Sequence, residues 1–260
     1  EDHIRLKNCC ESLNIQYLCT PFCKEAAKEL LDNNLITTAK IGSGELLDFR
    51  LIDYLIKSKI PLILSTGMST IEEIDTSADF LIANKSDYSF LHCVSEYPPK
   101  STDICLDTLT FLMNRFPKNI IGFSCHTPDI YTSLGAITLG AKIIEKHVIL
   151  DKSISCPDQS VSIDFDQLKQ LVNGKEAIYD SRGTRKTVFE IEKDIKSWAR
   201  RILVAKENIK SGTPFTSENL TTLRAGNGIS SEYYFKYLGK IPTVNIEAGS
   251  PITQDILLND

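Results

Sequence analysis

The chain has 260 residues, 42% of them hydrophobic and 24% charged, and carries a formal net charge of −5. That balance is ordinary for a globular protein, and without any basic block it argues against nucleic acid as the main partner. No apolar run approaches the ~20 residues that a membrane span needs, and nothing at the start resembles a signal peptide.

The first residue is Glu1, and residues 1–13 read as the end of a polar helix with Ile4, Leu6 and Leu13 apolar among charges. This start reads as the interior of a longer chain. A strand is expected at 15–18, running into Cys19-Thr20-Pro21-Phe22, followed by a helix through Ala26, Ala27, Leu30 and Leu31. A second strand, 36–41, is broken by Gly42-Ser43-Gly44-Glu45 and leads to a helix carrying Leu51, Ile52, Leu55 and Ile56. The strand at 62–64 ends in Ser65-Thr66-Gly67, and Thr70 with Glu73 makes a capping box for the helix through Ile74, Ala78 and Leu81. The strand at 90–94 ends in Ser95-Glu96-Tyr97-Pro98, and its helix carries Leu106, Leu109, Leu112 and Met113. A fifth strand, 120–123, ends in Ser124-Cys125-His126. The helix after Pro128 and Asp129 is closed by Gly140, and a sixth strand at 143–144 runs into Glu145-Lys146-His147.

Six strands, five followed by helices, argue a parallel α/β fold, and polar residues gathered at strand ends favour a (β/α)8 barrel. Such a barrel has eight strands, so two are expected to be missing from the front. After a loop at 152–163, Asp164 caps a helix with Leu168, Leu171 and Val172. Residues 183–199 are charged and read as a connector, partly helical, able to span roughly 55 Å if fully extended. Beyond 200 the texture turns to short strands and turns, which argues a small, mostly β second domain over 200–260, behind a barrel domain at 1–182.

Side chains alternate along a strand, so Ser124 and His126 share one face, as do Glu145 and His147, and Cys125 points away. Two histidines at matched ends of adjacent parallel strands suit one shared divalent metal better than two core histidines. Thr20, Ser43, Ser65, Ser95 and Ser124 recur at the same rim. Hydroxyls with backbone N–H groups at helix starts make a phosphate cradle, to which Lys40 adds the counter-charge. The eight cysteines, at 9, 10, 19, 23, 93, 105, 125 and 156, include no CxxC pair and read as free thiols of a cytoplasmic protein.

The runs TPF, KIGSGE, PLILSTGMSTIEEI, LHCVSEYPP, FSCHT, LGAKIIEKH and CPDQSVS resemble the sialic acid synthase family, in order and over nearly the whole chain. The tail LVAKENIKSGTPFTSENLTTLRAGNGIS is similar to the antifreeze-like (SAF) domain that follows the barrel in that family. The resemblance implies condensation of phosphoenolpyruvate with an N-acyl amino sugar, such as N-acetylmannosamine, to make a nonulosonic acid with release of phosphate. It implies that His126 and His147 hold Mn²⁺ or Mg²⁺ and that Thr20, Lys40, Ser43, Ser65 and Ser124 grip phosphoenolpyruvate. Ser95 stands where some members have asparagine. Glu45 and Asp158 are implied beside the reacting centre and sugar hydroxyls, and Arg224 is implied to reach the sugar across a domain-swapped homodimer. Members usually carry aspartate where this chain has Cys125, which points to altered support of the ligands more than to a lost ligand. The family's first two strands, with a glutamate and a lysine, have no counterpart here, so residues 1–260 alone are expected to be inactive.

Two rivals stand beside this expectation. One is a related barrel making deoxy sugar acids from phosphorylated aldoses, against which the antifreeze-like tail argues. The other is a catalytically inactive barrel remnant acting as a carbohydrate-binding or scaffold protein.

Overall fold

The computed structural model describes residues 1–257. The chain divides into two compact units, one ending at Arg182 and the other beginning at Gly183. In the first unit α1 (Asp2–Ser12) and α2 (Lys24–Asp32) precede a regular alternation: β1 (Ala39–Ile41), α3 (Phe49–Lys57), β2 (Leu62–Ser65), α4 (Ile71–Ala83), β3 (Tyr88–Cys93), α5 (Thr108–Arg115), β4 (Ile120–Cys125), α6 (Tyr131–Leu139), β5 (Ile144–Lys146) and α7 (Phe165–Ser181). The five strands form one sheet in sequence order, every neighbouring pair parallel. In-order parallel pairing through intervening helices brings all the C-terminal strand ends to one edge of the sheet.

The helices form where apolar spacing and caps agree. Thr70 and Glu73 close a reciprocal capping box at the start of α4, and Asp164 with Gln167 does so for α7. Gly140 ends α6 at φ +119°, a backbone angle that favours glycine. The core is built from Ile41, Leu62, Leu64, Phe90, Ile121 and Phe123 on the strands, with Leu51, Leu55, Leu81, Leu109 and Leu112 from the helices.

Two strand expectations are corrected. No strand forms at 15–18; pairing there is one parallel bridge, Cys19 to Ala39, and Ile15 and Leu18 are exposed. The strand expected at 36–41 is confined to Ala39–Ile41. β2 begins only at Leu62, opposite Ala39, so residues 36–38 have no partner strand, and the three-residue β1 in turn offers its outer neighbour too short a ladder to hold a second strand in register. The sheet therefore has five strands where six were expected. After β5, a parallel bridge from Val148 to Ile163 turns the chain back along the sheet edge, with the Ile163 N–H donating to the His147 carbonyl at 2.9 Å.

The second unit has its own core, with Leu203, Phe215, Leu220, Ile246 and Ile252 buried around the antiparallel pair β6 (Ile202–Ala205) and β7 (Leu220–Leu223). Before the pair lies α8 (Glu190–Ala199), and after it a one-turn helix, α9 (Tyr234–Tyr237). Helical rise shortens the ten residues of α8 to about 15 Å, so residues 183–199 reach about 40 Å at most and not the extended span. Ile191, Ile195 and Trp198 recur along one stripe of α8 and are 84%, 53% and 56% exposed. Among the described residues no helix is long and apolar enough to cross a membrane, and all eight cysteines are free thiols.

Candidate active site

The C-terminal strand ends open into a cavity of about 550 Å³. Thr20, Lys40, Ser43, Glu45, Ser65, Ser95, Ser124, His126 and His147 all line it, so nine of the eleven residues singled out in the sequence share one space. Asp158 comes in on the returning loop, its Oδ2 3.6 Å from His147 Nδ1. Arg224 belongs to the second unit, exposed in the loop after β7. A larger cavity of about 700 Å³ lies between α6, β5 and α7, floored by Ile137, Ile144, Leu168 and Leu171. It holds none of the strand-end hydroxyls or imidazoles.

Lys40 is 4% exposed. Its Nζ donates to the Ile41 carbonyl at 3.0 Å and lies 3.4 Å from Glu145 Oε1. A surface lysine is thereby excluded, since a buried ammonium persists only where carbonyls and a counter-charge replace its water. Ser65 donates to Glu145 Oε2 at 3.2 Å, so Glu145 is held from two sides. Glu145 was not singled out in the sequence, although strand parity had placed it on the face of His147.

The hydroxyls are packed close. The Gly67 N–H donates to Ser43 Oγ at 3.0 Å. A Cβ on Gly67 would come within 2.8 Å of that oxygen and 3.1 Å of Cys93 Sγ, so the STG turn needs glycine for space. Cys93 and Tyr97 also line the cavity, and neither was anticipated. The signal for Tyr97 is spatial: its ring centroid lies 4.1 Å from that of His126 and 5.9 Å from that of His147.

The two imidazoles lie 5.2 Å apart, centroid to centroid. His126 Nδ1 is 2.8 Å from the Val94 carbonyl, to which it donates, and this leaves the Nε2 lone pair free. Burial opposes a charge on His126, but bonding to the Cys93 thiol and the Val94 carbonyl outweighs it and raises the pKa above the usual histidine value. Burial, then the like charge of His126, pushes His147 below that value, with Asp158 and Glu145 pulling the other way. Two neighbouring imidazoles, one with its Nδ1 engaged by a carbonyl so that Nε2 faces outward, are a donor set suited to a divalent cation. Among the described residues no cluster of three or more His, Cys, Asp or Glu is close enough to hold a metal by itself. The protein therefore offers two nitrogens, with Glu145 and Asp158 in the surroundings.

By strand parity Cys125 faces away from this cavity. It is 1% exposed, with its sulfur 3.2 Å from Thr127 Oγ1 and 3.4 Å from Thr132 Oγ1. His92 is a core histidine, its Nε2 2.7 Å from the Ile104 carbonyl and its ring stacked on Phe123, and burial lowers its pKa.

A parallel sheet whose strand ends gather hydroxyls, a buried lysine and paired imidazoles defines a parallel α/β protein with a polar cleft at its carboxyl edge. Residues 1–187 match the NeuB family and residues 200–258 the SAF domain. The chain is 38% identical to N,N'-diacetyllegionaminic acid synthase of Campylobacter jejuni over 237 residues, 89% of this chain and 70% of that protein. It is 32% identical to pseudaminic acid synthase of the same species, across 98% of this chain and 74% of that one. Among solved structures it superposes on the N-acetylneuraminic acid synthetase of Leptospira borgpetersenii, crystallised with citrate, at a TM-score of 0.67 and 29% identity. That match covers 74% of this chain and 67% of the other. The chain belongs to the NeuB family and carries a SAF domain behind its α/β unit.

Proposed function

We propose that this chain condenses phosphoenolpyruvate with the open-chain aldehyde of an N-acyl hexosamine, adding water and releasing phosphate, to make a nonulosonic acid. The observation that carries the reading is the enclosed Lys40 facing Glu145 within a rim of serines and two imidazoles. A small dianion such as a phosphate ester is the natural occupant of such a cradle, because a fixed ammonium and several hydroxyl donors replace its hydration. The five-stranded arc is read as part of an eight-stranded barrel whose remaining strands bring a further glutamate and lysine.

In this reading Thr20, Lys40, Ser43, Ser65, Ser95 and Ser124 hold phosphoenolpyruvate, with Lys40 against its negative charge. His126 and His147 would hold Mn²⁺ or Mg²⁺, which when bound supplies Lewis-acid polarisation of the sugar aldehyde. Carbon 3 of phosphoenolpyruvate bonds to the aldehyde carbon, whose oxygen takes a proton; water adds at carbon 2, and the C–O bond to phosphate breaks as the new hydroxyl gives its proton to the departing phosphate and becomes the ketone. Glu145, fixed by Ser65 and Lys40, is placed to accept the proton of the attacking water. Glu45 and Asp158 face the sugar hydroxyls, and Arg224 reaches the sugar from the partner in a domain-swapped homodimer. Eight free thiols suit a cytoplasmic enzyme.

The test is phosphate release from phosphoenolpyruvate with Mn²⁺ and a panel of N-acyl hexosamines. The complete reading frame and residues 1–260 are assayed side by side. Release that requires a sugar, from the complete frame and not from the shorter chain, is the expected result. No sugar-dependent release from either protein overturns the proposal.

A further inference from the structure

The β4–β5 ladder stops one residue short of the chemistry. Its last rung pairs Cys125 with Lys146, and the next residues on the two strands are His126 and His147. The spacing of the two imidazoles is therefore not set by strand pairing, which ends before them. Beyond it the Ile163 N–H holds the His147 carbonyl and the Val94 carbonyl holds the His126 ring, while the tie between the two strands themselves falls to a side chain.

Lys146 occupies that position. Its Nζ donates to Cys125 Sγ at 3.2 Å and to Thr127 Oγ1 at 3.5 Å, and it makes a third, short bond to the Thr127 carbonyl. Those acceptors lie on either side of His126 in sequence, so one ammonium from β5 brackets the first histidine on β4. Thr127 is tied in turn to Cys125 and, at 3.1 Å, to Thr132 at the start of α6. Cys125 and Thr127 are 1% and 5% exposed, so water does not compete for these bonds. An ammonium offers three donors, and here all three are directed at this one turn of chain.

We propose that Lys146 is a positioning residue: through Cys125 and Thr127 it supplies the side-chain rung that fixes the distance and orientation of His126 relative to His147. The inference rests on the two-histidine reading above and deepens it. Groups that orient ligands from behind change metal affinity about 10–100-fold when removed. A thiol is a weak acceptor, so Cys125 makes the rung with less energy than a carboxylate would. Cys125→Asp should therefore tighten the rung, and Lys146→Met should abolish it.

The experiment has two arms on the complete protein. In the metal-free arm, ring ¹⁵N–¹H correlations of His3, His92, His126 and His147 are compared between the wild type and Lys146→Met. The signals of His126 and His147 should move or broaden, while those of His3 and His92 stay as internal controls. In the second arm, Mn²⁺ titration followed by the spectrum of the free ion should show affinity at least about tenfold weaker in Lys146→Met. Cys125→Asp should bind Mn²⁺ at least as tightly as the wild type. Unchanged His126 and His147 signals in Lys146→Met overturn the inference, and so does movement of all four rings, which marks a general loss of structure. A wild type that binds no Mn²⁺, but whose two rings respond to Lys146→Met, overturns the metal reading and leaves the positioning role standing.

Discussion

Lys40, Glu145 and Gly67 show what single residues contribute and how far each is legible. The lysine entering GSGE reads as an anion site in the sequence, and the structure encloses it with a carboxylate 3.4 Å away. Removing one member of a buried ion pair is costly when it strands the other, but Glu145 is 40% exposed and keeps the Ser65 hydroxyl, so water can take up its charge. Lys40→Met is therefore expected to raise KM for phosphoenolpyruvate at least about tenfold, in line with a lost charge-assisted contact of ~1.5–3 kcal/mol. Its melting temperature should stay within a few degrees of the wild type. An unchanged KM would show that the ammonium serves Glu145 alone. Strand parity identified the inward face of Ser124 and His126 and the outward turn of Cys125. It also put Glu145 on the site face, but an acid beside a lysine on a short strand looks like solvent-facing charge until Lys40 is brought to it from the far end of the sheet, four strands away.

At the scale of elements, helices were read more faithfully than strands. A helix carries its own caps and periodicity, as Thr70 with Glu73 and Asp164 with Gln167 show. A strand exists only by its neighbour, so the apolar run at 15–18 could not reveal that β1 offers it a single bridge. β3 carries a second lesson. His92 on this strand is held neutral by burial, so its folded pKa lies below the ordinary value of about 6.5. The unfolded chain then binds more protons than the folded one as pH falls through 6.5. Stability rises with pH towards about 6.5 and levels off above it. His126, shifted upwards, contributes with the opposite sign: its stabilisation is present below 6.5 and lost as pH rises through its folded value. Subtraction removes that common contribution. His92→Gln keeps a donor for the Ile104 carbonyl, and the stability difference between it and the wild type should change with pH below about 6.5 and become constant above it, the wild type losing relatively more as pH falls to 5. A pH-independent difference would mean that His92 is not held neutral.

For the whole molecule, the change of texture after residue 200 marks a second body, and each unit has a separate hydrophobic core. The barrel expectation came from counting strands, and a count cannot establish closure; five parallel strands in sequence order are what the sheet contains. The role proposed for Arg224 belongs to this scale, because it joins the two units in different copies of the chain. Homodimers of Arg224→Ala and of His126→Ala should each be nearly inactive in the complete protein. Mixed dimers, refolded together, should regain part of the activity through the one composite site in which both residues are intact. If mixed dimers demonstrably form and nothing returns, Arg224 acts within its own chain or has no catalytic part.

The exposed stripe of α8 gives the protein a built-in optical probe. Trp198 is the chain's single tryptophan and is 56% exposed. Its fluorescence therefore reports on one helix and on nothing else. Indole emission moves to shorter wavelength as water leaves the ring. Dilution across the range where copies associate should leave the spectrum fixed if the stripe stays bare, and shift it towards the blue at high concentration if assembly covers it. A change in Ile191→Asp that removes the concentration dependence would assign that covering to α8, with no label attached.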